Sequence, residues 1–339
     1  MSNWILEKNH LAYWLRQLRK EMDLVAPLRE GDDIVYKSVE KIHEIALDTP
    51  ASLPPLKEFF LPQFEPLLAE KDGKVRDLRR ESKRVVFGAR SCDVSALKLL
   101  DRLYLGGLKD PYYEARRRNT LLISVVCGKP DAGCFCAGLG TGPYLREGFD
   151  MQLYDLGDRY FVECCSREGR RWSRRHDFVM RRPRKADFED QYEVQLSSRA
   201  MFSRRVNLDA ARKALLAGGA DDEFWQGLGR RCFECGGCTS VCPVCSCFTI
   251  IDRDYDGETE RVRLWDSCLY KGFRRLAGGV VPEAELGQRL KRRFFHKLVH
   301  SPESIGAFGC VGCGRCAAAC PGGLEMDAVV RKVRHGNSG

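Results

Sequence analysis

The sequence predicts an α+β protein: an N-terminal α/β domain with a mixed sheet, then a mostly helical, cysteine-rich domain that carries a long insertion. Three observations lead there. Short apolar, β-branched runs alternate with helical spacing through the first two hundred residues. The last third then changes character and is dominated by Cys, Gly and Arg. Finally, one cysteine-rich segment occurs twice with the same spacing.

Taken in order, Trp14, Leu15 and Leu18, followed by Met22, fit the apolar stripe of a helix. Pro50, Pro54 and Pro55 break the chain, and residues 57–63 open a new segment. Residues 84–88 and 120–126 are short, apolar and β-branched, as buried strands are. Residues 94–105 between them have helical spacing, which makes a strand–helix–strand unit suited to parallel pairing. Residues 160–164 form a further strand. The densest basic stretch, RRWSRRHDFVMRRPRK at 170–185, is expected to be a solvated loop. Residues 209–216 and 222–228 are helices parted by Gly218–Gly219, and a basic helical stretch covers 289–300. The expected division is 1–205 for the N-terminal domain and 206–339 for the second, with 243–309 as the insertion.

Of the 339 residues, 44% are hydrophobic and 30% charged, an ordinary globular balance, so the 17 cysteines are what needs explaining. Trp4, Ile5 and Leu6 are followed at once by Glu7 and Lys8, so the N-terminus has no apolar signal core. No apolar run approaches the roughly 18–20 residues of a membrane span. The expectation is a cytoplasmic protein, and in a reducing cytosol thiols serve metal or redox chemistry rather than disulfides. The net charge of +9 is spread along the chain among 47 acidic residues. No zinc-finger, helix-turn-helix or RNP pattern accompanies it, so nucleic acid is not expected as a partner.

The repeated segments are CFECGGCTSVCP (232–243) and CVGCGRCAAACP (310–321), each a C-x2-C-x2-C-x3-C-P pattern. Two intervening residues let a tight loop wrap one face of a cubane, so that three thiolates reach three iron atoms. Gly236, Gly237, Gly312 and Gly314 suit the close backbone approach of such a loop. In two-cluster ferredoxins the fourth cysteine serves the other cluster. That rule assigns Cys232, Cys235, Cys238 and Cys320 to one [4Fe–4S] cluster and Cys310, Cys313, Cys316 and Cys242 to a second. A zinc site would use two knuckles of two cysteines, whereas here one spacing supplies four cysteines twice, each time followed by Pro. Cys245, Cys247 and Cys268 lie in the insertion, where buried packing near the cubanes competes with a role as replacement or added ligands. Packing is expected, since eight ligands are already supplied.

Several phrases together resemble one family: PPLKEFFLPQFEPLL (54–68), FGARSCDVSAL (87–97), DPYYEARRRNTLLISVVC (110–127), CFCAGLGTGP (134–143), WDSC (265–268) and CVGCGRC (310–316). It is the iron–sulfur β subunit of cytoplasmic hydrogenase/sulfur-reductase complexes, with the A subunit of anaerobic sulfite reductase as a relative. The resemblance implies an electron-transfer subunit between a flavoprotein, NAD(P)-linked subunit that carries the flavin and a catalytic redox partner of hydrogenase or sulfur/sulfite reductase type.

The N-terminal domain has further thiols. Cys92 follows the first predicted strand, Cys127 ends the second, and Cys134 and Cys136 lie in the loop after it, so all four converge on one sheet edge. A third [4Fe–4S] cluster is the expectation, against buried free thiols. Cys164 and Cys165 are adjacent and are left out. Gly138 to Gly142 approaches a phosphate or flavin, or simply makes a tight turn beside Cys136. No G-x-G-x-x-G, Walker A or H-E-x-x-H pattern is present, so turnover by the chain alone is not expected and no catalytic residue is assigned. The alternative is an enzyme whose N-terminal domain binds a flavin or deazaflavin fed by the clusters.

Overall fold

In the computed structural model, residues 2–335 are described. The strands are β1 (Ser2–Glu7), β2 (Asp23–Glu30), β3 (Asp33–Ser38), β4 (Phe64–Lys71), β5 (Lys74–Asp77) and β6 (Arg84–Ala89). They continue with β7 (Thr120–Val125), β8 (Met151–Asp155), β9 (Arg159–Cys164), β10 (Met180–Arg181), β11 (Phe248–Tyr255) and β12 (Glu258–Trp265). The two apolar runs of the expected strand–helix–strand unit are β6 and β7, paired in parallel from Arg84↔Thr120 onward. Helices Ser91–Leu105 and Pro111–Arg118 cross between them.

These strands sit at the centre of an eight-stranded mixed sheet in the order β10-β1-β9-β8-β7-β6-β2-β3. β7 is buried along its whole length, which is why it reads as a continuous apolar run. Alternate side chains enter different cores. Val85, Phe87, Leu121 and Ile123 pack with Trp14, Leu15 and Leu18 of helix Lys8–Arg19, whose expected stripe is the buried one. Val86 and Leu122 face Leu97, Leu100 and Tyr113 of the crossover helices.

The basic stretch expected as a loop is ordered structure instead. Ser166 caps helix Arg167–Arg175, accepting from the Gly169 N–H, and Trp172 and Ser173 turn inward while the arginines cover the outer side. The chain then returns as β10 on the edge of the sheet, with Ile5 opposite Arg181. Only Trp172 and Val179 supply buried apolar surface there, too few for a periodic pattern to be visible among the arginines.

The C-terminal part builds its own core from Trp225, Leu290, Phe294, Leu298, Leu324 and Val330, against which the cysteine-bearing loops pack. Helices Leu208–Leu216, Asp222–Gly229 and Leu286–Phe295 match the helical readings of the sequence. Inside the insertion, β11 and β12 form a hairpin that pairs with β4 and β5 of the N-terminal half, making a second sheet in the order β11-β12-β4-β5. Among the described residues, no helix is long and apolar enough to cross a membrane.

An ion network fastens this second sheet to the first part. Glu65 on β4 is 1% exposed and accepts from Arg116, at the end of the crossover, and from Arg263 on β12. Arg263 also meets Asp110, which caps helix Pro111–Arg118. Removing one partner of such a group leaves buried charge uncompensated, which costs far more than the intact pair contributes. Glu65→Gln should therefore lower unfolding stability by about 3–5 kcal/mol. Asp48→Asn, which breaks the exposed Lys129 pair, should leave it nearly unchanged. Urea denaturation midpoints of the two variants check both expectations.

Candidate iron–sulfur centres

The two cysteine segments share one backbone conformation. In the first, Glu234 (φ 52°) and Gly236 (φ 70°) are left-handed; in the second, Gly312 (φ 66°) and Gly314 (φ 72°) occupy the equivalent places. Each left-handed pair turns the chain so that successive cysteines face one side, and a single helical turn follows, Gly237–Ser240 or Arg315–Ala318. The fourth cysteine stands just beyond that turn.

Cys320 does not line up with its own segment. It lines one cavity with Cys232, Cys235 and Cys238, closed by Leu269, Leu290, Leu324 and Arg293. Burial raises the Cys232 thiol above its usual range, and Cys320 and Cys235 nearby add to it. Cys238 is raised by burial too, with Cys316, Cys320 and Cys232 contributing.

The second set has no member as exposed as Cys235. Cys313 is pushed up to about 11, by burial first and then by Cys242 and Cys316, against the pull of Arg315. Cys310 is pushed up to about 12, again by burial first, with Cys316 and Cys313 adding to it and Lys297 opposing. Cys242 is therefore drawn from the first segment into the company of the second. Lys297 Nζ lies 3.4 Å from its sulfur and 2.8 Å from the Gly309 carbonyl.

Backbone amides point at sulfur, as the loop chemistry requires: the N–H of Gly312 meets Cys310 Sγ at 3.4 Å and that of Leu324 meets Cys320 Sγ at 3.3 Å. Among the described residues, no three His, Cys, Asp or Glu side chains close on the spacing of ligands to one ion. The thiols stand in looser groups, as ligands do when each binds a different iron. The donor set, the amide N–H groups aimed at sulfur and the cations described below all suit an anionic cubane.

The N-terminal thiols meet at the sheet edge where Cys127 ends its strand. Cys92, Cys127, Cys134 and Cys136 are all buried. Burial pushes Cys134 up to about 12, with Cys127 and Cys313 adding to it, and raises Cys136 further, with Cys134, Cys127 and Cys313 around it. Cys92 lies on the side of the second cysteine loop. It faces Arg315, whose Nη1 is 3.8 Å from its sulfur, and feels Cys313 and Cys136. This group abuts the second ferredoxin-type loop: Phe135 N–H donates to Gly312 O at 2.8 Å, and Cys134 Sγ to Cys313 O at 3.4 Å. Arg315 locks the two together through Asp93 at 2.8 Å and the Ser52 carbonyl at 2.6 Å.

The remaining thiols lie in several settings. Cys164 is wholly buried in the sheet core. Cys268 and Cys247 belong to the C-terminal core and influence each other, and Cys245 lies against Cys242. The glycine-rich residues 138–142 are a turn beside Cys136 and form one wall of an open cleft of about 880 Å³, which Arg102, Arg146, Arg199 and Cys310 also line.

Sequence reasoning missed the cations. Arg293 is 2% exposed, Arg315 4% and Lys297 6%. Burial alone would pull Lys297 down, but the fields of Cys242 and Cys245 outweigh it and hold the ammonium above its usual range. Lys57 has no such surplus, so burial lowers it; it rests 4.0 Å from the Trp265 ring centroid. The one signal in the sequence was the helical basic stretch at 289–300.

The 4Fe-4S dicluster domain family matches residues 231–324. Over 342 aligned residues the chain is 32% identical to the sulfhydrogenase 2 subunit beta of Pyrococcus furiosus, covering 98% of this chain and 98% of that one.

The contact between the thiol groups can be tested at one atom. A Cβ on Gly312 would stand 2.7 Å from Cys136 N, at a backbone angle that disfavours L side chains. Gly312→Ala should cost about 1–3 kcal/mol and lower bound iron. Gly107→Ala, whose Cβ would meet nothing within 4 Å, should do neither. Thermal unfolding and colorimetric iron content measure the two effects.

Proposed function

The chain belongs to the family of the sulfhydrogenase β subunit, and from that premise we propose that it is the electron-transfer iron–sulfur subunit of a multi-subunit oxidoreductase. In this reading it passes electrons between a flavin- and NAD(P)-linked subunit and a catalytic partner of hydrogenase or sulfur/sulfite reductase type. One observation carries most of the weight: Cys320 shares a cavity with Cys232, Cys235 and Cys238, which supports a ligand set completed from the other segment. The proposed ligands are those four for the first cluster and Cys310, Cys313, Cys316 and Cys242 for the second. Cys92, Cys127, Cys134 and Cys136 are proposed to hold a third.

Each cubane supplies a one-electron couple when bound. The chain's residues hold the thiolates, point amides at sulfur and set Leu269, Leu290 and Leu324 against the inner side of one set. The three thiol groups neighbour one another in turn, Cys238 with Cys316 and Cys313 with Cys134, and this supports a relay that spans residues 206–339 and residues 1–205.

A second reading is favoured by the arginine-lined cleft. Its volume falls in the range of small-molecule sites, and a phosphorylated flavin there would lie against the loops of Cys136 and Cys310. In that case the chain would have an active site of its own.

Two experiments test these readings. Reduced Cys320→Ala should lose the EPR signal of the cluster that uses Cys232, while Cys316→Ala loses the other; loss of the same signal in both would refute the interlaced assignment. Anaerobically purified protein should hold about twelve irons with three clusters against about eight with two, and Cys127→Ala should lose about four.

A further experiment concerns turnover. Isolated, flavin-free chain should not oxidise NAD(P)H with viologen as acceptor, and adding the flavoprotein subunit should start the reaction. Resolved flavin bands on the iron–sulfur absorbance of the isolated chain, with NAD(P)H oxidation, would favour the cleft reading instead.

A further inference from the structure

The helix Leu286–Phe295 lies inside the insertion and runs on into His296–His300. Arg289, Arg293 and Lys297 recur on it every four residues, so they share one face, and all three are buried. Two are accounted for by the protein. Arg289 donates to the carbonyls of Leu269, Glu283 and Ala284 and pairs with Glu234 at 3.0 Å. Lys297 has the Gly309 carbonyl and the Cys242 sulfur.

Arg293 differs. Its Nε and Nη1 have no hydrogen-bond partner, although the residue is only 2% exposed. Its guanidinium is 5.1 Å from the Phe294 ring centroid, and no carboxylate pairs with it among the described residues. It lines the cavity formed by Cys232, Cys235, Cys238 and Cys320. The thiols whose charge, once ionised, would act on it most strongly are Cys238 and Cys316, one from each repeated segment. A buried guanidinium with two unmet donors is costly, and a fold keeps one only when a negative group faces it.

We infer that Arg293 is the shared counter-cation of the two ferredoxin-type clusters, donating to sulfur on both and holding both reduction potentials up. This inference rests on the dicluster ligand sets proposed above. Reduction adds one negative charge to a cubane, and a nearby buried cation stabilises the reduced form more than the oxidised one. Hydrogen bonds to sulfur act in the same direction. The insertion thereby gains a role at the clusters: it carries a buried charge to the cavity of the first thiol set.

The test is an EPR-monitored redox titration of the holoprotein, with iron content measured on each sample. Arg293→Gln and Arg293→Met should shift the midpoint potentials of both clusters to more negative values. Arg293→Lys should retain most of the wild-type potential, since it keeps the charge. Lys291→Gln, on the exposed face of the same helix, should leave both potentials unchanged. Should the neutral variants lose iron, retention of iron and potential in Arg293→Lys alone would still support the charge role. Unchanged potentials in a fully loaded Arg293→Gln would overturn the inference. So would equal loss of iron in Arg293→Lys and Arg293→Met, which would assign the side chain to packing. No partner subunit is needed, so a failed relay assay leaves this outcome untouched. A wild-type protein without two cluster signals would instead count against the ligand sets.

Discussion

The two cysteine segments lie against each other, each with its fourth cysteine among the thiols of the other. Cys320 lines the cavity of the first segment, and Cys242 lies among the thiols of the second, so the two loops must be held side by side. The chain must therefore leave the first segment, travel through residues 243–309, and come back to the same place. The rest of the architecture serves this return. The hairpin of β11 and β12 is anchored on β4, helix Leu286–Phe295 packs beside helix Asp222–Gly229, and the second loop arrives beneath them.

Gathering so many thiols in a buried space creates an electrostatic problem. Burial raises most of these thiols above their usual range, as with Cys238, Cys310 and Cys313. Thiolates bound to iron need compensation, and the fold brings it from outside the cysteine loops or from their inner faces. Lys297 and Arg293 come from the insertion, Lys57 from the N-terminal half and Arg315 from within the second segment. The protein has buried four cations to make an anionic centre tolerable, and their arrangement links the insertion's helix to the chemistry of sulfur.

The N-terminal half joins this centre through a narrow set of contacts. Arg315 reaches Asp93 and faces Cys92, while the Phe135 amide donates to the Gly312 carbonyl. The thiols at the parallel sheet's edge are thereby placed against the second cysteine loop, not on a remote surface. For a relay this matters because electron transfer falls steeply with distance. The buried Glu65 network fixes the same relation from the other side, since it ties β12 of the insertion to the crossover helices of the first sheet.

The sequence alone determined what depends on neighbours along the chain. The spacing of the eight ferredoxin-type cysteines is local chemistry, and so are the left-handed turns at Gly236, Gly312 and Gly314. The apolar runs of β6 and β7 and the stripe of Trp14, Leu15 and Leu18 were legible because a buried strand or helix face imposes its own period. The tertiary structure decided what depends on partners far away in sequence. Helix Arg167–Arg175 was hidden because one tryptophan carries most of its buried apolar surface. The hairpin's pairing with β4 was hidden because register between distant strands leaves no mark in either one. Nothing in the sequence singles out Arg293 or Arg315, since an arginine's letter is the same whether it meets water or a buried sulfur. Only the three-dimensional packing, which removes the water, turns them into part of the site.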